Sequence, residues 1–462
     1  MRICLIFFIT TFIFYQGFTQ EKVLIDNIII VGNNITKQEI ILRELTFKKG
    51  EVLSQKQIEE KIKQSKENLT NLSLFNFVDI KSAARNAKAD IIIDVVERWY
   101  IWPYPILELS ERNFNVWWNE FKKSNYSDFS RLNYGVYLVW ENFRGRNELL
   151  KIKYRKGFKE HYLFRYEIPY FNKEKTIGIS AFVQQFRRKK SFYNTIDNKL
   201  LYYENGDKYT TTDSEFQINI LYRKNTRHKH KLRLNYLQSN IADAIKSLNP
   251  DYLKNKKLKG DYFQITYQYA NEQRDYVHYP LHGHYLHFQL KKNFEGSSPV
   301  NHFELIGKVE KHMEISNRLF IGSSFKAKVS SDGYQPYFAQ KGFGFNDYVR
   351  GYEYYVLDGQ DFWLSKTVLK YAIIEKRNFD IPYVKMKQFN KSHYSLYLGV
   401  FSDMGGVRDK QTDGDNTLSN SLLWGNGISL DYVTYYDKML RIEFGINRLG
   451  EKGIFLHFTN PF

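Results

Sequence analysis

Two hydrophobic periods divide the chain. Val23 to Val31 reads as a strand, stopped by Gly32-Asn33-Asn34. Thr36, with Glu39 three positions on, has the form of a capping box, and Ile40, Ile41 and Leu45 supply a short helix face. Gly50 interrupts that helix. Ser54 caps a second, in which Ile58, Ile62 and Leu69 recur at helical spacing. Two strands follow, Phe75 to Lys81 and Ala89 to Val96, around turn material at Ala83, Arg85 and Asn86. The predicted order is strand, helix, helix, strand, strand, a small α+β domain.

From Trp99 the period becomes two. Leu150, Ile152 and Tyr154 alternate with Lys151, Lys153 and Arg155, and Phe216, Ile218, Ile220 and Tyr222 with Gln217, Asn219 and Arg223. Phe263, Ile265, Tyr267 and Tyr269, then Leu286, Phe288 and Leu290, repeat the pattern. A membrane-crossing strand needs ~9–11 residues, apolar toward lipid and polar toward a lumen, and these segments meet both demands. At ~22 residues per strand and connection, residues 99–462 hold about 16 strands, an even number as single-chain bacterial barrels have. The fold class is therefore a transmembrane antiparallel β-barrel preceded by the α+β domain.

Composition adds weight to that reading. Tyr 36 and Phe 36 put aromatic residues at 17%, while mean hydropathy is only -0.52. A barrel reconciles the two values, because it needs aromatic girdles and hides its apolar residues in every second position. Arg2, the apolar run Ile3 to Tyr15, and Gly17-Phe18-Thr19 form a secretory signal peptide cleaved after Thr19. The domains are then 1–19 signal peptide, 20–98 α+β domain and 99–462 barrel. The single cysteine, Cys4, lies in the signal peptide, so disulfides, thiol catalysis and cysteine metal sites are excluded from the mature chain.

The net charge of +18 includes the runs Arg187 to Lys190 and Arg223 to Lys231. Export makes nucleic acid the wrong partner; solvated loops, a basic lumen and anionic lipid headgroups suit the charge. His278, His282, His284 and His287 straddle a turn and fall on both strand faces, which reads as a girdle cluster rather than a metal site. Asp413-Gly414-Asp415-Asn416 lacks the downstream glutamate of a calcium loop. There is no GxSxG, HExxH or phosphate-binding glycine loop. Neither an enzyme nor a cofactor is expected.

Five places resemble the BamA/TamA-like outer-membrane assembly barrel superfamily, in that family's order. They are the turn Glu141 to Leu149 with Asn142 and Gly145; Arg274-Asp275 with Pro280 and Gly283; and Val349-Arg350-Gly351-Tyr352. Phe401-Ser402-Asp403-Met404-Gly405 and the terminal strand Gly453 to Phe462, with Phe458, complete the set. Residues 20–98 are similar to a POTRA domain, through the strand and Gly32-Asn33, Gly50, the long second helix, Leu74 to Val78 and the closing strand.

The resemblance implies a bacterial outer-membrane protein with its POTRA domain in the periplasm. It implies unfolded outer-membrane or secreted proteins as clients, outer-membrane lipid as surroundings, and periplasmic accessory proteins as candidate partners. Arg350 is expected to enter the lumen as a latch paired with Asp403, since an unpaired buried charge costs several kcal/mol. The family often places a second acidic partner on the strand after the loop, where Thr367 to Lys370 offers only Lys370. Pro103 and Pro105 in the first strand and Pro461 in the last lack backbone donors; they either weaken the seam or cap strand ends. The POTRA domain offers a sheet edge or acts as a spacer. The expected function is assembly or translocation of other proteins. A passive channel or surface receptor, and a dedicated two-partner-type secretion pore, are the alternatives.

Overall fold

The computed structural model describes residues 22–459 apart from 86, 110–121, 127–128, 130, 255, 299, 332–334, 387 and 412–413. The signal peptide, Pro461 and Phe462 lie outside the described residues.

The N-terminal domain runs β1 (Lys22–Val31), α1 (Gln38–Glu44), β2 (Val52–Ser54), α2 (Gln55–Thr70), β3 (Phe75–Arg85) and β4 (Lys88–Glu97). Its sheet has the order β2-β1-β4-β3, with β1 and β4 parallel. Ile25, Ile91 and Ile93 on the sheet bury against Ile40, Ile41, Ile58 and Leu69 on the helices. Ser54 accepts a hydrogen bond from the Gln57 amide, and the Gln57 side chain reciprocates, so α2 starts with a complete capping box.

Three local expectations need correction. Strand β2 was not expected; three residues are too few to show a period. Lys37, not Thr36, holds the cap position of α1, with no side-chain cap. The Thr36 hydroxyl is drawn instead to Tyr100 and Asn142 in the second domain. Ala83 and Arg85 belong to β3, which extends further than its apolar pattern suggests.

The second domain is a barrel wall of sixteen consecutive antiparallel strands. Its first half is β5 (Ile101–Leu109), β6 (Leu132–Phe143), β7 (Glu148–Gly157), β8 (Lys159–Ile168) and β9 (Ile177–Arg188). A separate hairpin, β10 (Lys190–Ile196) and β11 (Lys199–Glu204), interrupts before β12 (Thr211–Tyr222), β13 (His228–Ile241) and β14 (Lys259–Glu272). A short helix, α3 (Asp243–Leu248), lies between β13 and β14. Then come β15 (Gly283–Glu295), β16 (Phe303–Ser316), β17 (Leu319–Ser330), β18 (Asp361–Asp380) and β19 (Lys391–Arg408). Strands β20 (Leu423–Thr434), β21 (Met439–Asn447) and β22 (Lys452–Thr459) complete the wall.

Phe216, Ile218, Ile220 and Tyr222 are exposed, whereas Gln217 and Asn219 between them are buried, so the sheet turns its apolar face outward. That inversion suits lipid and not water. No helix among the described residues is long and apolar enough to cross a membrane.

Candidate functional site: an occupied lumen, a clamped mouth and an unpaired seam

The long connection between β17 and β18, described from residue 335 to residue 360, folds into the lumen and carries Arg350 to the wall. Arg350 Nε and Nη2 donate to the two oxygens of Asp403 on β19 at 2.8 and 2.6 Å, a fork-to-carboxylate geometry. Asp403 is fully buried. Arg350 Nη1 lies 3.3 Å from Glu443 on β21, so a second acidic partner exists, on a strand the family pattern did not indicate. Lys370 sits elsewhere, over the Tyr279 ring at 3.9 Å. The guanidinium also lies 3.8 Å from the centroid of Phe401, covering the face of the ion pair.

The loop tip fits because the wall is hollow beneath it. A Cβ on Gly425 of β20 would lie 1.8 Å from the Arg350 carbonyl oxygen, so any side chain there collides with the latch backbone. Val349 and Tyr352 are buried in an apolar cluster with Phe343, Leu357, Phe362 and Val407. Asn447 donates to the Gly351 carbonyl at 2.8 Å, and the Tyr352 hydroxyl accepts from the Arg448 amide at 3.2 Å. Beyond this loop, Ile241, Ile245, Tyr252 and Tyr337 form a second apolar cluster, with Phe192 and Tyr203 of the β10–β11 hairpin packed against it.

One mouth is held by the N-terminal domain. Arg98, at the end of β4, makes two hydrogen bonds to Asp437 in the β20–β21 turn, at 2.5 and 2.9 Å, with both side chains buried. Tyr276 and Ser73 donate to the same carboxylate. Burial acts to raise the Asp437 carboxyl, but the Arg98 hydrogen bonds and charge outweigh it and hold it well below the ordinary carboxylate range. On the other flank Glu44 of α1 pairs with Arg223 and accepts the Tyr170 hydroxyl at 3.1 Å. Glu67 of α2 pairs with Arg227 at 2.7 Å, and Asn76 donates to the Gln388 carbonyl at 2.7 Å.

The turn residues singled out in the sequence belong to this docking. Asn142 donates to the Thr36 hydroxyl at 2.9 Å, and Gly145 accepts from the Lys37 amide at 2.9 Å. A Cβ on Gly145 would meet the Ile35 carbonyl oxygen at 2.1 Å. Arg274 is clamped between Glu272 and Glu310 at 2.5 and 2.7 Å. The Asp275 side chain accepts from the Leu281 and His282 amides, which shapes the connection containing Pro280 and leading to Gly283. The Asp275 carbonyl in turn accepts from Asn71 at the end of α2.

Strands β5 and β22 are the two ends of the sheet order, and among the described residues no register pairs them. The Glu141 amide donates to the Tyr100 carbonyl, so even-numbered residues of β5 turn their backbone groups toward β6. Pro103 and Pro105 therefore turn theirs toward the seam. Their missing donors lie on the free edge, where a strand tolerates proline. On β22, Ile454, Leu456 and Phe458 are 73%, 68% and 68% exposed, against 44% for Ile442 and Phe444 on the neighbouring strand. One flank of the terminal strand is uncovered. Gly453 pairs with Gly445 at the start of β22.

A membrane-type barrel with an inward-folded loop and an α+β domain across one mouth defines a class, that of bacterial outer-membrane β-barrel proteins. Within it, this chain belongs to the Omp85 superfamily: the Omp85 superfamily domain matches residues 142–446. A POTRA family described as a surface antigen variable number repeat matches residues 23–98. Among solved structures the chain is similar to BamA from Haemophilus ducreyi lacking POTRA domains 1-3, at 13% identity and TM-score 0.51, over 94% of this chain and 84% of that one. It is also similar to CdiB from Escherichia coli, at 12% identity and TM-score 0.52, over 95% of this chain and 76% of that one. At such identities the likeness is one of fold. No curated protein sequence matches.

Proposed function

We propose that this protein assembles or translocates other proteins at the outer membrane, with its POTRA domain in the periplasm. The observation that carries the reading is the seam. Two neighbouring terminal strands keep their edges free, and Pro103 and Pro105 remove donors from one of them. A free edge pairs with any extended peptide through main-chain hydrogen bonds, each worth ~0.5–1.5 kcal/mol. A client strand meets β3 first, the longer free edge of the POTRA sheet, and then the seam. The Arg350 latch stiffens the late strands while the early ones move, and no nucleotide or metal drives the step.

The inward-folded loop and the docked POTRA domain speak against a passive channel. A channel conducts persistently, whereas a plugged barrel gives small, flickering conductance. The test is quantitative outer-membrane proteomics after depletion, with rescue by wild type and by Arg350→Ala. Broad loss of barrel proteins, rescued only by wild type, supports a general assembly factor with a working latch. Loss of one or two proteins indicates a dedicated translocator. An unchanged proteome refutes both.

A further inference from the structure

Beyond the Arg350–Asp403 pair, the loop tip meets the terminal strand in a second polar contact. Glu353 on the loop, Glu443 on β21 and His457 on β22 bring one donor atom each to within 4.8 Å of one another. His457 Nε2 lies 3.1 Å from Glu443 and 3.9 Å from Glu353 Oε1. The other Glu353 oxygen accepts the Gly351 amide at 2.9 Å, which orients the carboxylate. Tyr348 stacks on the His457 ring, and Tyr354 packs against Phe455, so loop and terminal strand hold the gap between them.

One observation points to a ligand. Glu353 Oε1 is a buried atom with no hydrogen-bond partner among the described residues, and it faces His457 Nε2 across this gap at 3.9 Å. Buried polar atoms in native proteins rarely go unpaired, and such an orphan calls for an explanation.

We propose that Glu353, Glu443 and His457 form a divalent transition-metal site that ties the loop tip to the terminal strand. One imidazole and two carboxylates suit Zn2+ better than Ca2+ or Mg2+, which favour all-oxygen sets. Ligands at ~2.0–2.1 Å from a tetrahedral ion stand about 3.4 Å apart, so the donors close by small torsional changes of Glu353, with water as fourth ligand. The consequence is mechanical. Among the described residues strand β22 pairs only with β21, and a metal bridge gives it a second attachment beside the seam.

The experiment uses the full chain folded in detergent, stripped with chelator and titrated with Zn2+ itself. Wild type is expected to take up about one tightly held equivalent, with a rise in the melting temperature of the barrel. His457→Ala and Glu353→Gln are expected to lose at least about tenfold in zinc affinity, since even supporting hydrogen bonds to ligands are worth 10–100-fold. Heat-dependent gel mobility confirms that each variant is folded. Glu353→Gln keeps side-chain shape and guards against a folding artefact at His457. Zinc uptake unchanged in both variants places the ion on other histidines and overturns the proposal. So does wild type that takes up no zinc at neutral pH. Either result leaves the assembly reading untouched, because no client is present.

Discussion

Arg98→Ala is expected to release the POTRA domain from the barrel mouth. The guanidinium makes two hydrogen bonds to Asp437 and a third to the Phe75 carbonyl at 3.0 Å, with side-chain exposures of 8% and 5% for the pair. Removing one partner of a buried ion pair costs ~3–5 kcal/mol, because the other charge is stranded. Here Tyr276 and Ser73 still donate to the stranded carboxylate, so the lower end applies, about 3 kcal/mol. That is a factor of about 150 in the docked-to-undocked ratio.

Spin labels read it directly. The only native cysteine is Cys4, so in a Cys4→Ser background Lys56→Cys on α2 and Tyr383→Cys on the β18–β19 connection carry unique labels. The distance between them is followed across a urea series, whose midpoint shift converts to free energy. A shift below ~0.5 kcal/mol would place the pair among ordinary exposed ion pairs and refute the clamp. The double variant Arg98→Met, Asp437→Leu should recover much of the loss, because it leaves no buried charge.

The same undocking midpoint should respond to acid in one direction. Asp437 is held below its ordinary range, so its contribution is full above the unfolded value of ~3.9 and is lost as pH falls from there through the folded value; His278 beside it is lowered by burial, so its contribution is lost as pH falls below ~6.5, and the midpoint stays flat only above about pH 7.5. Arg350→Lys keeps the charge but not the fork, and should cost ~1.5–3 kcal/mol of barrel stability by urea unfolding; an unchanged midpoint would remove the bidentate pair from the latch. Gly425→Val should expel the loop tip and expose residues 331–360 to limited proteolysis, given the 1.8 Å approach to Arg350; wild-type protection would mean the wall yields instead. Pro103→Ala with Pro105→Ala restores two donors on the free edge of β5 and should raise amide protection of β22 in hydrogen exchange; unchanged protection would disconnect the prolines from the seam.

How legible these features were depended on whether the signal was local. Alternation along Phe216 to Tyr222 named the lipid-facing side because side-chain direction follows from sequence position alone. Asp403 could be paired with Arg350 because a motif carries both. Glu443 could not: it is one more inward residue of an alternating strand, and nothing in a period-two pattern says which inward residues meet across a lumen. The docking pairs fail for the same reason. Glu44 and Arg223 are 179 residues apart, and each alone reads as an ordinary surface charge. The prolines lay between these extremes. Their chemistry was plain, but only the pairing of β5 with β6 shows which side the missing donors face.

That pairing logic also shows how the three features share one element. The β20–β21 hairpin carries Asp437 at its turn, Gly425 on one arm and Glu443 on the other. Its turn receives the POTRA domain, its arms receive the latch, and its second arm is the only strand paired with β22 among the described residues. A hairpin with twelve and nine residues in its arms and an unbroken register moves as a unit. Displacing the POTRA domain therefore pulls on the strand that anchors both Arg350 and the seam. Conversely, a latch that leaves the wall frees the hairpin to tilt. Coupling of this kind needs no long pathway, only one stiff element on which both anchors bear. Under the proposed function, a client strand that added pairs to β22 would act on the same lever from its third side.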